Sequence, residues 1–193
     1  MASEVSICNQ AIGWLGGNPI TSFTDNTVEA QLCGINYPLL RDAVLEEGKW
    51  TFATKRIKLL PSAQAPAQGY SHRFEVPSTV MTVIRCTQYA DDKEFKQDLD
   101  WRLEEEFILT NVDELYAKCI VNVTDVKKFT NTFNQALAAR IAADLAAPLT
   151  ESTTKETRMW EKYYRNLDIA LGIDGMQGRS DILRTRSRIV QGR

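Results

Sequence analysis

The chain has 193 residues, 44% of them hydrophobic and 25% charged, with a formal net charge of only −2. That length and balance describe one ordinary globular unit with room for an inserted subdomain. No apolar run approaches the length of a membrane span, and the opening MASEVSICNQ has neither the basic nor the apolar region of a secretory signal, so neither is expected.

In chain order, Ser3 is placed to cap a first helix. Val5, Cys8, Ile12 and Leu15 fall on one face of it, and Gly16-Gly17 ends it. Asn18-Pro19 makes the following turn. Asn26 with Glu29 three residues later has the pattern of a capping box and opens a second helix. Val28, Leu32, Ile35, Leu39 and Ala43 recur at helical spacing and read as its buried stripe. Pro38 removes one backbone donor, which predicts a kink, and Gly48 closes the helix.

After Trp50 the period changes from helix to strand. Residues 51–60 and 70–76 read as strands across a Pro/Ala/Gln loop, and Val80, Val83, Ile84 and Cys86 mark a third. Residues 89–100 are charged and read as a loop. Residues 101–103 and 107–109 suggest a hairpin around Glu104, Glu105 and Glu106, and residues 115–123 give the last strand. Trp50 and Phe52 straddle the junction and are expected to seal the helices against the β block.

Helical spacing then returns. Phe129, Phe133, Leu137, Ile141 and Leu145 form one row, and Ala136, Ala139, Ala143 and Ala146 lie beside it, small enough for another backbone to come close. Pro148 disfavours α geometry at Ala147 and predicts a stop there. Thr150 and Ser152 can cap a further helix carrying Trp160, Tyr163, Leu167, Ala170 and Leu171. Trp160, Tyr163 and Tyr164 read as packing residues. Gly172, Gly175 and Gly178 then space out an expected non-helical exit. The pattern is α+β: a bundle of about four helices with an inserted antiparallel β subdomain and an extended tail. The expected bounds are 1–49 and 129–172 for the bundle, 50–128 for the β subdomain and 173–193 for the tail.

Charge is unevenly placed. Residues 179–193 hold five arginines against Asp181 alone, a net of +4, which leaves −6 for the remainder of a chain at −2. Such a segment fits an acidic partner or nucleic acid. Cys8, Cys33, Cys86 and Cys119 are scattered without metal spacing and read as reduced, mostly buried thiols.

Catalytic patterns are sparse. His72 is the one histidine in the chain and sits in an expected strand, where a surface or structural role is favoured. No phosphate-binding or nucleophile-elbow motif is present. Gly13, Gly16 and Gly17 follow a helix, not a strand, which disfavours a phosphate cradle. The run Glu104–Glu106 could supply paired carboxylates, but with Asp91-Asp92 it reads as solvated turn.

The stretch from Cys8 through Pro61 resembles the opening of the tail tubular protein A family of podoviruses. The elements that carry the likeness are Gly17, Pro19 and Ile20; Asp25; Tyr37, Arg41 and Asp42; and Trp50, Phe52 and Ala53. A second block, FTNTFNQALAARIAADLAAPLTEST, is similar to that family's alanine-rich helical hairpin. The resemblance is weaker through the β block and departs at the arginine-rich end. It implies a head-to-tail adaptor at the virion's head–tail junction, assembled in the host cytoplasm. Such a protein self-associates into a twelve-subunit ring beneath the portal protein, receives a tail nozzle resembling tail tubular protein B, helps retain packaged genomic DNA and provides a conduit for its ejection. It implies no cofactor, metal or catalytic residue, and no membrane partner.

On that reading Arg179, Arg184, Arg186, Arg188 and Arg193 would pair with portal carboxylates, and Ile182, Leu183, Ile189 and Val190 would act as apolar anchors. Two other functions stay open. One is a nucleic-acid-binding protein using the same arginines on phosphates. The other is a polysaccharide hydrolase acting through Glu104–Glu106 or nearby acids.

Overall fold

A computed structural model describes residues 2–177, apart from 94 and 96–98. Among the described residues there are four α-helices and six strands in the order expected for a bundle interrupted by a β subdomain. The first helix, α1 (Glu4–Leu15), starts at Ser3, whose hydroxyl accepts the Ser6 N–H while Ser6 answers in kind. It ends at Gly16, in left-handed geometry at φ 83° that a side chain would strain. The loop that follows is held from both sides. Asn9 clamps the backbone of Ile20 through two 2.8 Å bonds. Asp25 accepts the N–H groups of Thr21 and Ser22, which hold its carboxyl below the usual range.

The second helix, α2 (Val28–Glu47), is capped by Thr27, whose hydroxyl accepts the Ala30 N–H. The Asn26–Glu29 capping box is thus corrected by one residue. Helix α2 continues through Pro38. Its buried residues are Ala30, Cys33, Tyr37, Leu40, Arg41, Val44 and Leu45. This overturns the expected inward stripe, because Val28, Ile35 and Leu39 each leave more than 60% of their surface in solvent.

The helix gives way at Gly48 to a one-turn 3₁₀ segment, Thr51–Ala53, where a strand was expected. Trp50 sets this corner. It is fully buried, its Nε1 donates to the Val44 carbonyl at 2.9 Å, and its ring meets the edge of Phe133 at 4.9 Å. Phe52, Phe129 and Phe133 complete the aromatic cluster. A Cβ at Gly48 would stand 2.6 Å from the Trp50 ring, so this position admits no side chain without moving the indole.

Two three-stranded antiparallel sheets follow. The first has β1 (Thr54–Leu59) and β3 (Val80–Thr87) on either side of β6 (Leu115–Val121). The second has β2 (His72–Glu75) and β4 (Trp101–Glu104) flanking β5 (Phe107–Thr110). Strand β1 runs against β6 from Thr54 opposite Ile120 to Leu59 opposite Leu115. Leu59, Phe74, Cys86, Ile108, Leu115 and Ala117, from both sheets, form a separate small core. The β4–β5 hairpin turns at Glu105-Glu106 without glycine, with Glu105 itself left-handed at φ 54°.

The third helix, α3 (Asn131–Thr150), begins at Thr130, whose hydroxyl accepts the Phe133 N–H. Phe129 lies just before it. From Ala136 to Ala146 every side chain but Arg140 and Asp144 is buried, so α3 is the axis of the bundle. The expected stop at Ala147 is corrected. Helix α3 runs on through Pro148, which takes one donor out of the last turn, and it ends at Glu151 in left-handed geometry. Thr150 bonds back to the Ala146 carbonyl, and the capping role falls to Ser152, which accepts the Lys155 N–H.

The last helix, α4 (Thr153–Gln177), joins the bundle core through Tyr163 and Ala170. Lys155 reaches the carbonyl of Leu15 at the end of α1. The expected non-helical exit after Leu171 is corrected: α4 passes through Gly172 and Gly175 to Gln177.

Replacing Trp50 by alanine should cost about 3–5 kcal/mol, as for other buried aromatics. Trp50→Phe should cost less, leaving mainly the Val44 carbonyl unpaired at about 1–3 kcal/mol. Urea denaturation of the two variants should show that order.

Candidate interaction surfaces

The arginine-rich segment read as a partner-binding element, Arg179 to Arg193, lies outside the described residues. The other sequence-derived candidates are all placed, and the structure does not gather them. His72 opens β2, half exposed, with Nε2 3.1 Å from Asp113. Glu104, Glu105 and Glu106 stand in solvent at the β4–β5 turn. Glu104 and Glu105 border a shallow hollow of about 270 Å³ that also touches Arg73 and Phe107. Asp92 accepts the Thr87 hydroxyl, and Asp91 is exposed. No helix among the described residues is long and apolar enough to cross a membrane.

The residues that carry the family likeness do structural work. Ile20 and Asp25 order the first loop, and Tyr37 packs on Phe23 with ring centres 6.0 Å apart. Arg41, nearly buried, pairs with Asp42 at 2.7 Å, and the same carboxylate accepts Asn122 just beyond β6. Trp50, Phe52 and Ala53 form the corner described above. The Asp42 contact and the corner fix how the helical and β parts meet, whereas the others order the loop between α1 and α2.

The end of α4 is tied to that corner. Asp174, 3% exposed, accepts both the N–H and the hydroxyl of Thr51 at 2.7 and 2.8 Å. This is why the helix persists past its glycines. A second anchor joins α2, α3 and α4. The Tyr163 hydroxyl donates to Glu47 at 2.6 Å, and burial with that carboxylate pushes the phenol upward. Arg140 pairs with Glu47 and Asp144 and lies over the Trp160 ring at 4.5 Å. Trp160 and Tyr163 are thus packing residues as expected, whereas Tyr164 is exposed.

All four cysteines are free and buried. A hydrogen bond with Cys33, then burial, raises the Cys8 thiol, and burial pushes Cys86 up to about 12.

What sequence reasoning missed is on the outside of the bundle. Val28, Leu32, Ile35 and Leu39 follow one line along α2, away from its buried side, and only Leu32 is partly covered. Helix α4 carries a second line, with Ile169, Ile173 and Met176 exposed toward its end and Arg158 and Arg165 exposed nearer its start. These are the described surfaces that look made for contact, since apolar side chains aligned on a helix gain nothing from water. The signal was present in the sequence: α2 is apolar on two sides, and one helix cannot bury both against a single neighbour.

No protein-family model matches the chain, and no curated protein matches it.

Asp174→Ala should destabilise the fold by about 1–3 kcal/mol, because the Thr51 N–H loses its acceptor. Amide exchange should rise selectively over the last two turns of α4, and Asp174→Asn should restore part of the protection. A thiol-alkylating reagent should label the native protein slowly and label it fully only in denaturant.

Proposed function

We propose that this protein is a structural adaptor of a podovirus virion, an assembly component that joins a portal ring to a tail nozzle. The observation that carries the reading is the architecture around the likeness. Two helical blocks resembling the tail tubular protein A family close on one core, and of the residues that carry the likeness, Asp42, Trp50, Phe52 and Ala53 stand where this core meets the inserted β subdomain. A helical bundle with an inserted β subdomain suits a part that must bridge two rings. The acidic remainder of the chain, at −6, suits a wall past which DNA slides without adhering. The arginine-rich segment supplies the opposite charge, for carboxylates on the portal.

A ring of such subunits needs two different complementary faces on each copy. The outward lines on α2 and α4 meet that requirement in kind. Nucleic-acid binding through the same arginines is the competing function, and it is separable by experiment.

Truncation after residue 178 keeps every contact described above, so the thermal melting of the free protein should be unchanged. Co-sedimentation with the portal of the same virus should be lost. Single Arg→Ala changes should be mild, since an exposed ion pair contributes about 0–1 kcal/mol, while removal of the whole segment acts on all copies in a ring at once. Normal portal binding by the truncated protein would place docking on the helical body. Salt-dependent duplex DNA binding by the full chain, absent after truncation and unaccompanied by portal binding, would favour the nucleic-acid function.

A further inference from the structure

The outer lines of α2 and α4 share one spacing. On α2 the positions are Val28, Leu32, Ile35, Leu39, Asp42 and Glu46; on α4 they are Arg158, Lys162, Arg165, Ile169, Gly172 and Met176. Both alternate steps of four and three, the seam spacing of a two-helix coiled coil. Each lies away from the residues that its helix buries. Each spans about 18 residues, or roughly 27 Å at about 1.5 Å per residue.

The chemical order along the two seams is reversed. Helix α2 is apolar first and acidic last, whereas α4 is basic first and apolar last. The geometry points to an intermolecular seam in which α2 of one copy lies antiparallel along α4 of a second copy of this chain. Val28 then faces Met176, Leu32 faces Gly172, and Ile35 faces Ile169. The Arg165 stem covers Leu39, and Glu46 meets Arg158. Gly172 has open space where a Cβ would be, which leaves room for Leu32. Asp42 and Lys162 also fall opposite each other, although Asp42 already pairs with Arg41 and Lys162 sits 3.4 Å from the Trp14 ring centre.

The alternatives pair badly. A parallel arrangement sets Val28 against Arg158 and Glu46 against Met176. Two α2 seams run antiparallel would set Val28 against Glu46, and two α4 seams would set Met176 against Arg158. Only the unlike, antiparallel pairing matches apolar with apolar and acid with base. Such a contact is head-to-tail: each copy offers one face to each neighbour and can continue into a ring. The seam depends on the adaptor reading for the number of copies alone.

The test uses full-length protein carrying single engineered cysteines at exposed positions, without portal, at high concentration under mild oxidation. Folding of each variant is checked by melting. A mixture of Ile35→Cys and Ile169→Cys chains should give mixed disulfide dimers at least tenfold above like-with-like dimers. Ile35→Cys mixed with Arg158→Cys, off register on the same face, should give few. Glu46→Arg on the first chain should suppress the mixed link, and Arg158→Glu on its Ile169→Cys partner should restore it. Absence of the mixed link, predominance of like-with-like dimers, or equal linking at the off-register position would each overturn the seam. Because portal plays no part, loss of the link with portal docking intact sinks the seam alone, whereas a link without portal docking sinks the adaptor function alone.

Discussion

Three helices can surround α3 because α3 is built mainly from alanine where they touch it. Ala136, Ala138, Ala139, Ala142, Ala143 and Ala146 are all essentially fully buried. A methyl group lets a neighbouring backbone approach closely, and the larger Phe133, Leu137, Ile141 and Leu145 fill the gaps between. Any enlargement at the alanine positions would push a neighbour outward, since packed cores tolerate added volume poorly. The rest of the molecule follows from that axis. Helices α1, α2 and α4 each bury one side on it, and what remains on the outside of α2 and α4 is left for other contacts.

The β subdomain joins this bundle through apolar side chains, with Ile120, Val123, Met81 and Ile84 packed into the main core, and through three polar contacts at its edges. The Trp50 indole reaches back to Val44, Asp42 reaches Asn122, and Asp174 reaches Thr51. Buried acceptors such as the Val44 carbonyl and Asp174 contribute modestly when paired and are costly to leave unpaired. They therefore fix geometry more than they add stability. For the adaptor proposed above, fixed geometry is the property that the function would draw on.

The helices were legible from spacing: Phe133, Leu137, Ile141 and Leu145, with Ala136, Ala139, Ala143 and Ala146 beside them at steps of three and four, fit the helical period. The β strands were legible from their β-branched runs, within a few residues at each end. The inward face of α2 was not, because Val28, Ile35 and Leu39 are as regular as Ala30, Cys33, Tyr37 and Val44. Periodicity finds a stripe without saying which of two stripes meets the core, and the true inner face even includes Arg41. The corner at Thr51 and the final turns of α4 were illegible for a different reason. Both depend on one contact between residues 51 and 174, and no local pattern announces a partner 123 positions away. Glycines at 172 and 175 pointed to an ending that this distant carboxylate overrules. Of the interaction surfaces, the charged segment was visible in composition, while the α2 and α4 lines needed the fold to show which sides face out.

The pairing of β1 with β6 bears on how the chain assembles. These strands are the first and last of the inserted block, and Thr54 lies opposite Ile120. Once they pair, the polypeptide leaves the helices and returns to them at neighbouring points. The stretch that separates α2 from α3 then shrinks from all of 48–130 to its two flanks, 48–53 and 121–130, and the entropy of closing that loop falls accordingly. On a ribosome the insert emerges before α3 does, so it can form its own small core of Leu59, Phe74, Ile108 and Leu115 while α1 and α2 still wait for their axis. Pairing of the insert's two ends thus draws the end of α2 toward the start of α3. It turns a long-range search into a short-range one before the last two helices have been made.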